Sequence, residues 1–146
     1  MSLSEMETRG ELEPLASTPE ELIRLLSMVR RRLKDAAVVE TSNEARFEHA
    51  YHAILGCALA ALRVNDYRVF GSAGKHLLAL NTLQHTVGVP AAQVRYYQKL
   101  RNRRNIDLYE GSTPVSETEL SEALAAAQKL LTSTAAYVKQ RRADTR

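Results

Sequence analysis

Two arginines stand at positions where an α-helix would bury them, and their side chains are well suited to bind an anion. The inward positions of a helix in this region recur in steps of three and four residues and are Val94, Tyr97, Arg101, Arg104 and Leu108. A buried guanidinium without a partner costs about 3–5 kcal/mol, so each arginine must pair with a carboxylate or face a cleft. Because the arginine fork matches phosphate oxygens, one interpretation is a phosphate site.

The other interpretation of the two arginines is structural. An internal salt bridge to Glu48, Asp107 or Glu122 would satisfy them equally well, and the spacing alone favours neither interpretation. Asparagines directly follow both arginines and add amide groups to either arrangement. Five cations also fall within ten residues here, although the net charge of the chain is only +3, which indicates a local affinity for anions. The candidate phosphate-binding residues are therefore Arg101, Asn102, Arg104 and Asn105.

The elements that position these residues are predicted to be helices. The 146 residues fit one domain, and 45% of them are hydrophobic and 25% charged, which is typical of a globular protein. The chain has no Trp, two Phe and only six Gly, so its core must be aliphatic. A composition rich in alanine and poor in glycine favours close-packed helices over a sheet.

Capping motifs and apolar periodicity predict four long helices and one shorter helix. A hydroxyl residue, a proline and two acids at residues 17–21 begin the first, and a capping box at residues 116–119 begins the last. The predicted helices lie at about 17–38, 42–65, between 72 and 88, 90–109 and 116–138. We expect an all-α, antiparallel, up-and-down bundle formed by residues 17–139. Residues 1–16 are predicted to be a flexible leader, 64–72 a loop and 140–146 a frayed polar tail, with no strands.

Several classes of protein are disfavoured by what the sequence lacks. No run of about eighteen apolar residues is present, and the first ten residues contain no apolar signal segment. The single cysteine, Cys57, lies among apolar residues and is predicted to be an inert, packed thiol. His49 and His52 share a helix face, but two ligands without a third make a weak metal site. We expect a soluble cytoplasmic protein without a metal or cofactor.

The region around the two arginines resembles the signature region of HEPN domains. The resemblance lies in the run Tyr96–Gly111, YYQKLRNRRNIDLYEG. The run Arg46–Ala53, RFEHAYHA, is similar to the aromatic-alanine helix of that family, and the alanine- and leucine-rich last helix is also similar. The resemblance covers Thr18–Val138, which is most of the chain.

The resemblance implies a helical bundle that dimerises, with the arginine-bearing helix near a shared cleft. Many HEPN domains are metal-independent endoribonucleases, often the toxin partnered by a nucleotidyltransferase-like antitoxin, and others bind RNA or nucleotides without cutting them. In the catalytic members an arginine holds the phosphate, and a histidine a few residues later on the same helix moves protons.

This chain departs from the catalytic HEPN motif, because no histidine follows His85. Tyr109 stands five residues after Arg104 and is the best replacement by position, so Arg104 and Tyr109 are the candidate catalytic pair. A phenol with a pKa near 10 is a poor base at neutral pH. His49 and His52 are the other candidates, since imidazoles titrate near pH 7. The missing histidine favours loss of cleavage with retention of the binding surface.

Three functions remain open from the sequence. The first is a HEPN-like module that binds RNA or a nucleotide, and salt-sensitive binding would indicate it. The second is an atypical, metal-independent endoribonuclease. The third is a helical scaffold with structural arginines, which an acidic neighbour close to Arg104 would favour.

Overall fold

The computed structural model describes residues 2–71, 74–110 and 114–144, and at residues 106–110 it describes the backbone alone. In order, the elements are α1 (Leu3–Thr8), β1 (Leu12–Pro14), α2 (Pro19–Ala36), α3 (Asn43–Arg63), β2 (Tyr67–Val69), α4 (Lys75–Thr82), α5 (Ala91–Glu110) and α6 (Glu117–Asp144). Four long helices with a shorter α4 confirm the predicted all-α bundle. Within these ranges no helix has both the length and the apolar character needed to cross a bilayer.

Helix α3 lies at the centre of the bundle and contacts α2, α4, α5 and α6. Most of its side chains from Phe47 to Leu62 are buried, including Tyr51 and Ile54. Helix α2 approaches α3 closely at Gly56, where an added Cβ would lie 2.7 Å from the Cγ2 atom of Val29. The packing of α3 against α4 and α5 brings together the side chains considered below.

Hydroxyl side chains begin three of the four long helices, α2, α3 and α6, at the positions that the sequence indicates. Thr18 Oγ1 accepts a hydrogen bond from the backbone of Glu21, and Ser42 Oγ does the same for Ala45. At the start of α6, Ser116 Oγ accepts from the Glu119 N–H while a Glu119 carboxylate oxygen accepts from the Ser116 N–H. This reciprocal pair is the predicted capping box.

The N-terminal segment differs from the prediction. Residues 1–16 were expected to lack regular structure, yet they contain α1 and β1, and β1 pairs antiparallel with β2 in the expected loop. The physical reason is burial: Met6 and Leu12 pack against Leu62. Two isolated apolar residues are too few to produce a periodic pattern, and strands of three residues leave almost no signal.

Two helix ends also differ from the prediction. Helix α6 continues through the expected polar tail to Asp144, because its arginines lie in the last turn, where they favour the helix dipole. Helix α4 ends at Thr82 instead of continuing to Gly88, and the next residues form turns. Gly88 has a φ of +85° and its N–H bonds to the Leu83 carbonyl, so it terminates these turns rather than the helix.

Candidate functional site

Arg101 and Arg104 lie half-buried at one end of the apolar stripe of α5. Val94 and Tyr97 are buried, as predicted, and Leu100 is buried with them. The two arginines are three residues apart, which places their Cβ atoms about 5–6 Å from each other. They therefore continue the inward face of α5 as neighbouring positive charges.

The guanidinium of Arg104 is only weakly paired. Its Nη2 atom lies 3.5 Å from Glu48 Oε1, and its Nη1 atom lies 3.4 Å from Asn105 Oδ1. Both distances are at the long end of hydrogen bonding. The Nε atom is buried and has no hydrogen-bond partner in the described part of the chain. Arg104 thus retains donor capacity that no described residue uses.

Arg101 is held by an amide rather than by a carboxylate. Its Nε donates to Gln98 Oε1 at 2.8 Å. The amide nitrogen of Gln98 in turn donates to Asn81 Oδ1 and to the Leu77 carbonyl, both at 3.0 Å, which ties α5 to α4. No described carboxylate lies within 4.0 Å of the Arg101 guanidinium, so its charge is not neutralised by an ion pair within that part of the chain.

Tyr51 and His76 lie near both arginines. The Tyr51 hydroxyl is 3.1 Å from His76 Nδ1. Burial raises the pKa of Tyr51 to about 12, an effect that the charges of Arg101 and Arg104 partly oppose. Burial lowers the pKa of His76, and Arg104 and Arg101 lower it further. Both side chains are therefore uncharged at neutral pH, and the Tyr51 O–H can donate to Nδ1 and leave the other imidazole nitrogen as a donor.

His52 joins the same site through Glu48. Its Nε2 atom lies 3.5 Å from Glu48 Oε1, the oxygen that also faces Arg104. Burial lowers the pKa of His52, Arg32 lowers it further, and Glu48 opposes the shift. The imidazole is thus neutral at pH 7. Of the two histidines predicted on this helix, His52 is the one in contact with the carboxylate that faces the arginines.

His49 faces another helix. Its Nδ1 atom accepts a hydrogen bond of 3.1 Å from Arg32 Nη1 on α2. Arg32 also lowers the pKa of His52 and so lies at the edge of the same polar region, whereas among the described residues no hydrogen bond or ion pair joins His49 to Arg101 or Arg104. The predicted contribution of His49 to an anion site is at most indirect.

Asn102, Asn105 and Tyr109 are the remaining predicted site residues, and Arg103 lies between them on the same helix. Asn102 is exposed, whereas Asn105 contacts Arg104. Arg103 Nε donates to Glu119 at 3.0 Å, and this bond holds the pKa of Glu119 below its usual range. Arg103 thus connects α5 to α6. The Tyr109 side chain lies outside the described residues, as does Asp107, one of the predicted salt-bridge partners.

The arrangement can hold an anion. Two guanidinium groups, one of them with a buried N–H that has no described partner, lie near neutral imidazole and phenol groups and one described carboxylate. Among the residues that the structure describes, no three His, Cys, Asp or Glu side chains are arranged to hold a metal ion. Cys57 is buried and its pKa is raised to about 12 by burial, so it is a packed thiol, as predicted.

Sequence reasoning missed Tyr51, His76 and Gln98 as members of the site. Tyr51 follows the apolar spacing of α3 and is predicted as core, and it is indeed buried. Its partner His76 is 25 residues away on α4, so only the packing of α3 against α4 reveals the contact. Gln98 lies one turn before Arg101 on the same helix, and this spacing is the one local signal in the sequence for the contact between their side chains.

Comparisons with known proteins leave the family open. No family model matches the chain, and neither a curated protein nor a solved structure matches it significantly. The resemblance to HEPN domains accordingly stays a prediction.

Proposed function

We propose that this protein is an RNA- or nucleotide-binding module that holds a phosphate group between Arg101 and Arg104. The observation that supports the proposal is the state of the two guanidinium groups. Within the described residues, Arg104 has a buried Nε without a partner and one long contact to a carboxylate, and Arg101 bonds to an amide. Arginine pairs of this kind bind phosphate oxygens through charge-assisted hydrogen bonds.

The proposal includes the assembly that the HEPN resemblance implies. The module would be a homodimer with α5 beside the shared cleft, working in a toxin–antitoxin or defence-type system with a nucleotidyltransferase-like partner. Light scattering of the purified protein tests the dimer, since a monomeric mass at micromolar concentration would contradict it.

Binding of labelled single-stranded RNA in excess EDTA tests the phosphate site. Arg101→Ala and Arg104→Ala should each weaken binding about tenfold or more at low salt, because each removes charge-assisted hydrogen bonds. Each variant should also reduce the slope of log affinity against log salt by about one. Arg95→Ala is the matched control, since Arg95 is an exposed arginine on the same helix. Equal losses in all three variants would indicate nonspecific attraction and would contradict the site.

A second candidate function is metal-independent RNA cleavage. It is favoured by one observation: His52 Nε2 and Arg104 Nη2 both lie 3.5 Å from Glu48 Oε1. A neutral imidazole can accept a proton from a ribose hydroxyl while the arginine holds the adjacent phosphate. In this case RNA would be cut in excess EDTA, and His52→Gln or Arg104→Ala would abolish cleavage. Tyr109→Phe tests the other predicted proton donor. If this variant alone abolishes cleavage, Tyr109 rather than His52 transfers the proton.

The scaffold alternative is favoured by the ion pair between Arg104 and Glu48, which is the acidic neighbour that the sequence argument specifies. A scaffold predicts that Arg104→Ala lowers the free energy of unfolding while neither it nor the wild type binds RNA. The long contact and the 45% exposed Glu48 side chain make this ion pair a weak structural element.

A further inference from the structure

We propose that Glu48 is an intramolecular competitor for Arg104 that lowers the affinity of every anion at the site, so that only anions that also reach Arg101 bind well. This inference rests on the proposed phosphate site. It assigns a role to Glu48, the one described carboxylate that contacts Arg104, and it names the ligand class as phosphate groups rather than carboxylates or small monovalent anions.

The geometry makes Glu48 a displaceable competitor. One oxygen, Oε1, lies 3.5 Å from Arg104 Nη2 and 3.5 Å from His52 Nε2. The Glu48 side chain is 45% exposed, whereas the Arg104 side chain is 21% exposed, so Glu48 is the more solvated partner of the pair. An ion pair of this length with one exposed partner is weak. An incoming anion can displace Glu48 into water without opening the core.

Displacing Glu48 costs every anion the same free energy, so anions differ only in what they gain from the two arginines in return. A ligand carboxylate exchanges one carboxylate for another at Arg104 and loses the freedom of an untethered molecule, so it gains nothing. A phosphate group has more oxygens and can contact Arg104 and Arg101 together. Arg101 gives it a second charge that no described carboxylate already occupies. The net gain is therefore specific to a bridging, oxygen-rich anion.

The experiment compares Glu48→Gln with Glu40→Gln. Glu40 is exposed and precedes α3, so its substitution removes the same charge from the chain without touching the arginines. Fluorescence anisotropy with a short labelled single-stranded RNA should show that Glu48→Gln binds about two- to fivefold more tightly than wild type. At matched ionic strength, sodium acetate should displace the RNA from Glu48→Gln more readily than from wild type. Glu40→Gln should behave as wild type in both assays.

The outcomes separate this inference from the proposed function. If Arg104→Ala loses RNA binding while Glu48→Gln binds equally or more weakly than wild type, the phosphate site stands and the role of Glu48 is overturned. If Arg104→Ala binds as tightly as wild type, the phosphate site itself is wrong, and this inference falls with it. Glu48→Ala, checked for folding by circular dichroism, must repeat the gain, since a gain unique to Gln would mean that the new amide binds RNA.

Discussion

Protonation at the site is controlled by three features of its surroundings, namely burial, the nearby arginines and a single carboxylate. His76 has no described carboxylate beside it, so both burial and the arginines lower its pKa. His52 has Glu48 beside it, which opposes burial without cancelling it. Both imidazoles are therefore neutral at pH 7 and positive only in more acidic solution. The charge of the anion site thus increases as the pH falls.

Folding stability should depend on these two histidines below about pH 6.5. Their pKa is lower in the folded protein than in the unfolded chain, so the unfolded chain binds more protons in that range. The contribution of the two histidines to folding stability is fully present above their pKa in the unfolded chain, and it is lost as the pH falls toward their pKa in the folded protein. Urea unfolding should show that the free energy of unfolding of the wild type is lower at pH 5.5 than at pH 7.5. The difference should be smaller for the His52→Gln/His76→Gln double variant.

The remaining decrease in the double variant is expected from His85, whose pKa is also lowered by burial. Glu119 does not interfere, because its lowered pKa makes its contribution fall only in more acidic solution. A double variant that loses as much stability as wild type between the two pH values would contradict the assignment to His52 and His76.

For the helices, the sequence correctly predicts the features that a local pattern of residues encodes. The stripe of α5 and the capping box of α6 depend on residues within a few positions of each other. The capping box is confirmed, and so is the stripe at Val94 and Tyr97, while the Leu108 side chain lies outside the described residues. The pair of Tyr51 with His76 depends on how α3 and α4 pack, which no local pattern contains. The same reasoning left open whether Arg104 meets a carboxylate, and the packing of α3 against α5 supplies Glu48.

The close approach of α2 and α3 should make Gly56 intolerant of any side chain. The Cβ atom of Gly56→Ala would lie 2.7 Å from Val29 Cγ2. Since Val29 is fully buried, it cannot move into solvent, and we expect a loss of about 1–3 kcal/mol in the free energy of unfolding. Val29→Ala removes the clashing methyl group, so the double variant should lose less than the sum of the two single variants. If denaturant unfolding gave additive losses in the free energy of unfolding, the contact between α2 and α3 at Val29 and Gly56 would be contradicted.

At the scale of the whole molecule, one buried arginine connects the N-terminal segment to the bundle. Arg63, at the end of α3, pairs with Glu21 on α2 and donates to the carbonyl groups of Leu15 and Ala16. Asp66 adds a second link by accepting from the backbone and the hydroxyl of Ser17. The segment before α2 is therefore attached by polar contacts as well as by its apolar residues.

Arg63→Ala should destabilise the protein by about 3–5 kcal/mol, because it leaves the half-buried Glu21 carboxylate and three carbonyl groups, those of Leu15, Ala16 and Tyr67, without their shared donor. Arg68→Ala is the control: Arg68 also pairs with a glutamate, Glu13, but its side chain is 54% exposed, so its loss should cost less than about 1 kcal/mol. Urea unfolding compares the two variants, and hydrogen exchange should show that α1 and β1 lose protection first in Arg63→Ala. Equal, small effects of both substitutions would mean that the apolar packing of Met6 and Leu12 alone holds the N-terminal segment. Arg63 would then contribute no more to the free energy of unfolding than an exposed arginine does.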